Sequence, residues 1–111
     1  MTLDEMLAFR RAPEGEMLLL FKLEDCPPCD LLEDALPQVS QLASTPRSEF
    51  VVDLGDKRTM GAVLKAGVTE FPFIELYSKG ARVLQSKGIR GSTSSQVASN
   101  LSAMISEHIV G

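Results

Sequence analysis

The apolar positions of the chain follow two periods. Met17-Leu18-Leu19-Leu20-Phe21-Lys22-Leu23 is apolar throughout except at Lys22. A run without alternation suits a central strand buried on both faces. Glu49 to Leu54 and Phe71 to Tyr77 read as a second and a third strand. Lys79-Gly80 reads as a two-residue hairpin turn into a fourth, Ala81 to Gln85. Helical spacing takes over between them. Leu3, Met6 and Leu7 mark one face of a helix that Thr2 and Glu5 open as a capping box and Pro13-Glu14-Gly15 ends. Leu31, Leu32, Ala35, Leu36, Val39 and Leu42 form a stripe opposite Asp30, Glu33, Asp34, Gln38 and Gln41. Pro37 lacks an N–H, so it should kink this helix or end its first half, and Ser44-Thr45-Pro46 closes it. Asp56 can cap a short helix carrying Met60, Val63 and Leu64, which Gly67 ends. Thr93 and Gln96 open a last helix with Val97, Leu101, Met104, Ile105 and Ile109 on its buried face.

The predicted order is helix, strand, helix, strand, helix, strand, strand, helix. A βαβ unit followed by a hairpin and a helix gives an α/β fold: a mixed four-stranded central sheet with helices on both faces. At 111 residues this is one domain, residues 1–111. A hydrophobic share of 44% with 23% charged residues is that of an ordinary globular domain. The net charge of −4 argues against nucleic acid or an anionic membrane as partner, since both select basic surfaces. The longest unbroken apolar run, Met17 to Phe21, is far short of the about 20 residues a membrane helix needs. The acidic start, Met1-Thr2-Leu3-Asp4-Glu5, lacks the basic-then-apolar pattern of a secretory signal, so a cytoplasmic protein is expected.

Cys26 and Cys29 form the chain's single C-x-x-C, at the junction of the first strand and its helix. In a reducing compartment that spacing points to redox or metal chemistry. Pro27 and Pro28 are tolerated there because first-turn N–H groups have no intrahelical partner to lose, and they stiffen the loop. The i, i+3 spacing puts both sulfurs on one side of the first turn. Cys26 faces unpaired N–H groups and the positive end of the helix dipole, which favour thiolate. Cys29, one turn in, should be more buried and less acidic. Cys26 is therefore the expected nucleophile on a partner's disulfide, and Cys29 the residue that resolves the mixed disulfide. A zinc site needs four ligands, and His108 is the only histidine, so zinc would require a second copy or carboxylates.

The strand–Cys26-Pro27-Pro28-Cys29–helix unit, Phe71-Pro72 before the third strand, Lys79-Gly80 in the hairpin and Gly88 after the fourth strand resemble the thioredoxin-like superfamily along almost the whole chain. The resemblance implies a three-layer thioredoxin-like fold and a redox disulfide between Cys26 and Cys29. It implies that Pro72 is a cis proline packed against that disulfide. It also implies that Pro27, Pro28, Phe71, Pro72 and Gly88 meet the substrate, with the Phe71 backbone pairing to the substrate chain.

Several positions depart from that pattern. Asp25 stands where an aromatic residue usually precedes the first cysteine, Leu20 where a buried aspartate usually sits, Glu49 where a lysine lies near it, and Asp30 where a lysine often follows the second cysteine. Without the buried acid, Cys29 must give its proton to water, to the departing thiolate, or to Glu24 or Glu49 if either lies close. Asp25, Asp30 and Glu33 should oppose the dipole and raise the Cys26 pKa. Lys22 counters them if its ammonium reaches the sulfur; otherwise it snorkels at the strand edge. The docking patch should combine Pro27, Pro28, Phe71, Pro72 and Ile89 with Asp25, Lys87 and Arg90, selecting partners by charge as well as shape.

The leading functional expectation is a protein-disulfide reductase, a monomer recharged by a thioredoxin reductase. The chain has no dinucleotide fingerprint and is expected to carry no cofactor. The alternatives are a glutaredoxin-like reductant fed by glutathione, for example one supplying ribonucleotide reductase, and a non-catalytic interaction subunit using the fold as a docking surface. For the second alternative, Gly91-Ser92-Thr93 occupies the place of a carboxylate clamp.

Overall fold

The computed structural model describes residues 1–108. Among them the order is α1 (Leu3–Arg11), β1 (Met17–Leu23), α2 (Pro27–Ala35), β2 (Arg47–Val52), α3 (Lys57–Lys65), β3 (Phe73–Ser78), β4 (Ala81–Ser86) and α4 (Ser94–His108). The strands form one sheet in the order β2-β1-β3-β4. β1 runs parallel to β2 and antiparallel to β3, and β3 runs antiparallel to β4. β1 is therefore paired on both edges, and Leu18, Leu19, Leu20 and Phe21 are buried on both faces.

Alternation along β1 divides the core in two. Leu18 and Leu20 pack with Leu32, Ala35 and Leu36 from the α2 segment and Leu101 and Ile105 from α4. Leu19 and Phe21 pack on the opposite face with Met6 of α1, Val63 of α3 and Phe73 of β3. The result is three layers, with α1 and α3 on one side of the sheet and α2 and α4 on the other. None of the described helices is long and apolar enough to cross a membrane.

Local signals set most element boundaries. Thr2 Oγ1 accepts from the Glu5 N–H at 3.2 Å, and Glu5 Oε1 accepts from the Thr2 N–H at 3.0 Å. This is the reciprocal capping box, and these bonds hold the Glu5 carboxyl below its usual value. Asp56 Oδ1 accepts from the Arg58 N–H at 2.9 Å and opens α3. Thr93 Oγ1 accepts from the Gln96 N–H at 3.2 Å and opens α4. In the hairpin, Lys79 and Gly80 both take positive φ, 55° and 74°, as a two-residue turn of the primed type requires.

Pro37 ends the first half of its helix as expected, and three other boundaries or placements differ from expectation. α2 ends at Ala35, and two short 3-10 turns, Leu36–Gln38 and Ser40–Leu42, carry the rest of its stripe into the core; Pro37 excludes a continuous α-helix there. β2 covers Arg47–Val52, two residues earlier than its apolar run suggests. Its parallel register to β1 starts at Leu18↔Arg47, and Asp53 turns the chain by accepting the Gly55 N–H at 2.8 Å, leaving Leu54 exposed. β3 begins at Phe73, after the Phe71–Pro72 bond, which is cis. Leu64 is exposed, because Met60 and Val63 already fill the face of α3 turned to the sheet. Ile109, placed on the buried face of the last helix, lies outside the described residues.

One polar group belongs to the core. Glu75 shares a sheet face with Phe73 and Tyr77 and is fully buried. Arg10 of α1 reaches it through Nε at 2.6 Å, and Arg82 of β4 through Nη1 at 3.0 Å. The carboxylate thus ties α1 to the hairpin. Burial, with the Glu75 charge second, raises the Tyr77 phenol above its usual pKa. Removing one member of a buried ion pair costs about 3–5 kcal/mol, because the survivor stays desolvated and unpaired. Arg82 is half-exposed and recovers hydration, so Glu75→Ala should lower the unfolding free energy by about 3 kcal/mol in urea titration. A loss under about 1 kcal/mol would show that the pair does not fasten α1.

Candidate active site

β1 delivers the chain to its carboxyl end at the surface, where Asp25 takes a left-handed conformation (φ 50°) and turns it into α2. Cys26 is the residue that caps α2. Its φ and ψ are extended (−114° and 95°), and its Sγ accepts the Cys29 N–H at 3.3 Å. The Asp30 N–H is taken by the Cys26 carbonyl at 3.1 Å. Pro27 and Pro28 occupy the first two helical positions, where no N–H is missed. The two cysteines are joined as a disulfide, with Cα atoms 5.2 Å apart. Cys26 is half-buried and Cys29 fully buried, the asymmetry expected of an attacking and a resolving thiol. In the dithiol state the Cys29 N–H and the dipole of α2 would both stabilise a Cys26 thiolate.

A groove of about 750 Å³ opens over Pro27 and Pro28, the residues between the two cysteines. Pro27, Pro28, Phe71, Pro72 and Gly88, the five residues expected to meet substrate, all line it. Gly88 lies against Pro72: a Cβ on Gly88 would stand 3.9 Å from the Pro72 carbonyl, and its φ of +107° is one that other residues rarely adopt. Ile89, Lys87 and Arg90 also line the groove as expected, whereas Asp25 does not. The structure adds Leu31, Gly91 and Ser92. Gly91 brings the loop close to the start of α4, since a Cβ there would fall 2.8 Å from the Val97 backbone nitrogen. Leu31 was legible only as a member of the α2 stripe; its place at the edge of that stripe gave no sign that it borders a groove.

The surrounding charges differ from the sequence expectation. Lys22 is not at a sheet edge, since β1 is central, and its ammonium is committed to carboxylates. It pairs closely with Glu33 of α2 and lies 3.4 Å from Glu49 of β2. Glu33 is thereby neutralised, so Glu24, Asp25 and Asp30 remain as exposed acids close to Cys26 in sequence. Glu49 is the cross-strand partner of Leu20, and Leu20 is fully buried. Among the described residues, no cluster of three or more His, Cys, Asp or Glu side chains could hold a metal ion.

The hydrogen bond to Glu33, reinforced by Glu49, holds the Lys22 ammonium above its usual pKa. A raised lysine stabilises the fold fully below its unfolded pKa of about 10.4 and loses that contribution as pH climbs through the folded value. The stability difference between wild type and Lys22→Met should therefore be constant from pH 6 to 9 and shrink above about pH 10.5. A difference that grew with pH would contradict the pairing.

No family model matches the chain, and no curated protein matches it. Solved structures do. Chloroplastic thioredoxin z superposes with a TM-score of 0.67 at 16% identity, over 100% of this chain and 93% of that one. Thioredoxin O1 from Arabidopsis thaliana, in its oxidized state, gives 0.66 at 14% identity, over 96% and 92%. Fasciola hepatica thioredoxin gives 0.58 at 17% identity, again over 96% and 92%. The fold is thioredoxin-like.

Proposed function

We propose that the protein is a thiol-disulfide oxidoreductase that reduces protein disulfides. The observation that carries this reading is the Cys26–Cys29 disulfide at the head of α2, with Cys26 half-buried and Cys29 buried, next to a groove lined by Pro27, Pro28 and Pro72. The Cys26 thiolate attacks one sulfur of a substrate disulfide. A Cys26–substrate bond forms, and the other substrate sulfur leaves as thiolate. Cys29, deprotonated, then attacks Cys26 Sγ, freeing the second substrate thiol and closing the Cys26–Cys29 bond. Two electrons pass from the protein dithiol to the substrate, and two protons end on the substrate sulfurs. Leu20 offers no acid to take the Cys29 proton, and Glu49 is engaged by Lys22. The departing substrate thiolate, water and the exposed Glu24 are then the acceptors left in this reading.

The protein acts as a monomer in a reducing compartment, the cytoplasm, on proteins that carry an accessible disulfide. A flavoprotein of the thioredoxin reductase type, drawing on NADPH, restores the dithiol. A second reading rests on Lys87, Arg90, Gly91 and Ser92, which give one end of the groove a cationic rim. That end suits the carboxylates of glutathione and would make glutathione the donor.

Insulin reduction separates these readings. With NADPH and thioredoxin reductase, wild type should precipitate insulin and Cys26→Ser should not rise above the uncatalysed rate. Cys29→Ser should trap a mixed disulfide that dithiothreitol releases. Activity with glutathione and glutathione reductase alone would select the second reading. No Cys26-dependent rate with any donor would overturn both and favour a docking role.

Rim charge should set substrate preference. Toward a peptide disulfide flanked by aspartates, Lys87→Glu/Arg90→Glu should react about tenfold more slowly than wild type at low salt, with the gap closing at high salt. An equal slowing toward a lysine-flanked peptide would mean that the loop had lost its shape instead.

A further inference from the structure

A second groove, of about 770 Å³, lies on the face of the sheet covered by α1 and α3, away from α2. Four of the chain's 11 basic residues line it: Arg10 and Arg11 from α1, Lys65 from α3 and Arg82 from β4. No acidic side chain lines it, although the chain as a whole carries −4. Glu75 lies beneath it, buried and bonded to Arg10 and Arg82. The four cations and this one carboxylate leave a local charge of +3.

Helix dipoles account for part of this set. Arg10 and Arg11 end α1 and Lys65 ends α3, where basic residues are favoured. Arg82 has no such cause, since it stands in a strand. Nor does the dipole explain why the cationic ends of two helices and a strand cation converge on one depression. Glu75 fixes two of the guanidiniums from below, so they meet a ligand already ordered. Arg11 and Lys65 are exposed and make no ion pair among the described residues.

The lining also fixes the kind of ligand. Leu7, Pro13, Ala62 and Ala66 give the depression apolar ground between its cations. Tyr77 is buried beneath it and offers no open ring face for a base to stack on. A lone phosphate would use none of the apolar ground. An extended peptide alternating acidic and apolar side chains uses both. We infer that this groove docks an acidic, partly apolar segment of a partner protein, independently of the disulfide on the other side of the molecule.

The test is fluorescence anisotropy with a labelled twelve-residue peptide of alternating glutamate and leucine pairs. Wild type is compared with Arg11→Glu/Lys65→Glu and with the milder Arg11→Gln/Lys65→Gln, each checked for native circular dichroism. Both substitutions lie at exposed positions outside the Glu75 cluster. Wild type should bind the peptide and not its lysine counterpart. The glutamine pair should weaken binding several-fold and the glutamate pair at least tenfold, with insulin reduction unchanged in both. Equal binding by all three proteins would overturn the inference. So would binding lost only in Lys87→Glu/Arg90→Glu, which would place the peptide at the other groove. Full displacement of the peptide by equimolar inorganic phosphate would replace it with a small-anion site. Loss of peptide binding on self-association at rising protein concentration would replace it with a second copy of the chain.

Discussion

β1 runs through the middle of the sheet with Leu18 to Phe21 sealed from water on both faces and hydrogen-bonded neighbours on both edges. A strand so placed meets solvent only at its ends. Its carboxyl end is where the backbone must turn; Asp25 makes that turn, and the next residue, Cys26, caps α2. The Cys26 sulfur therefore sits on rigid ground. Packing fixes the strand, Pro27 and Pro28 fix the first turn, and the Cys29 N–H fixes the sulfur. Cys29 follows one turn later into the buried layer. The difference in exposure between the two cysteines follows from the burial of β1 and α2, and needs no further device.

The same central strand organises the charges. Lys22 follows Leu18 and Leu20 on one face of β1, but beyond the sealed stretch, where α2 and β2 can supply Glu33 and Glu49. On the other face, Glu75 sits between Phe73 and Tyr77 and is matched by Arg10 and Arg82. Each buried or half-buried charge has partners from other elements, as desolvation demands. What remains unpaired lies at the surface. Acids flank Cys26, and cations line two separate grooves on an anionic molecule. Those surplus charges give the molecule two differently addressed surfaces.

Much of this was legible in the sequence because the decisive residues are punctuation. A continuous apolar run, a C-x-x-C after it, Asp56 and Thr93 as caps and Lys79-Gly80 as a turn each mark a boundary by local physics. The five groove residues expected from the resemblance do meet in space. The misplaced parts depend on pairing across the chain. β2 is shifted because register to β1, not its own apolar run, sets where it begins. Leu64 faces water because only one side of a nine-residue helix meets the sheet. For Lys22 the sequence leaves a choice between the sulfur and the strand edge, since local sequence does not show that Glu33 and Glu49 converge on it. Glu75 was hidden for the same reason. Its one signal was a lone acid in the period-2 row Phe73, Glu75, Tyr77, and its partners are 65 residues before it and 7 after.

The central claim is that Cys26–Cys29 is a working redox couple rather than a structural staple. Its direct test is an equilibrium titration against graded dithiothreitol buffers, quenched with an alkylating agent and read by mass. A working couple predicts one reversible two-electron transition with a midpoint between about −120 and −270 mV, the span of disulfide oxidoreductases. A disulfide that stays closed below about −300 mV, or one that opens without closing again, would contradict the account.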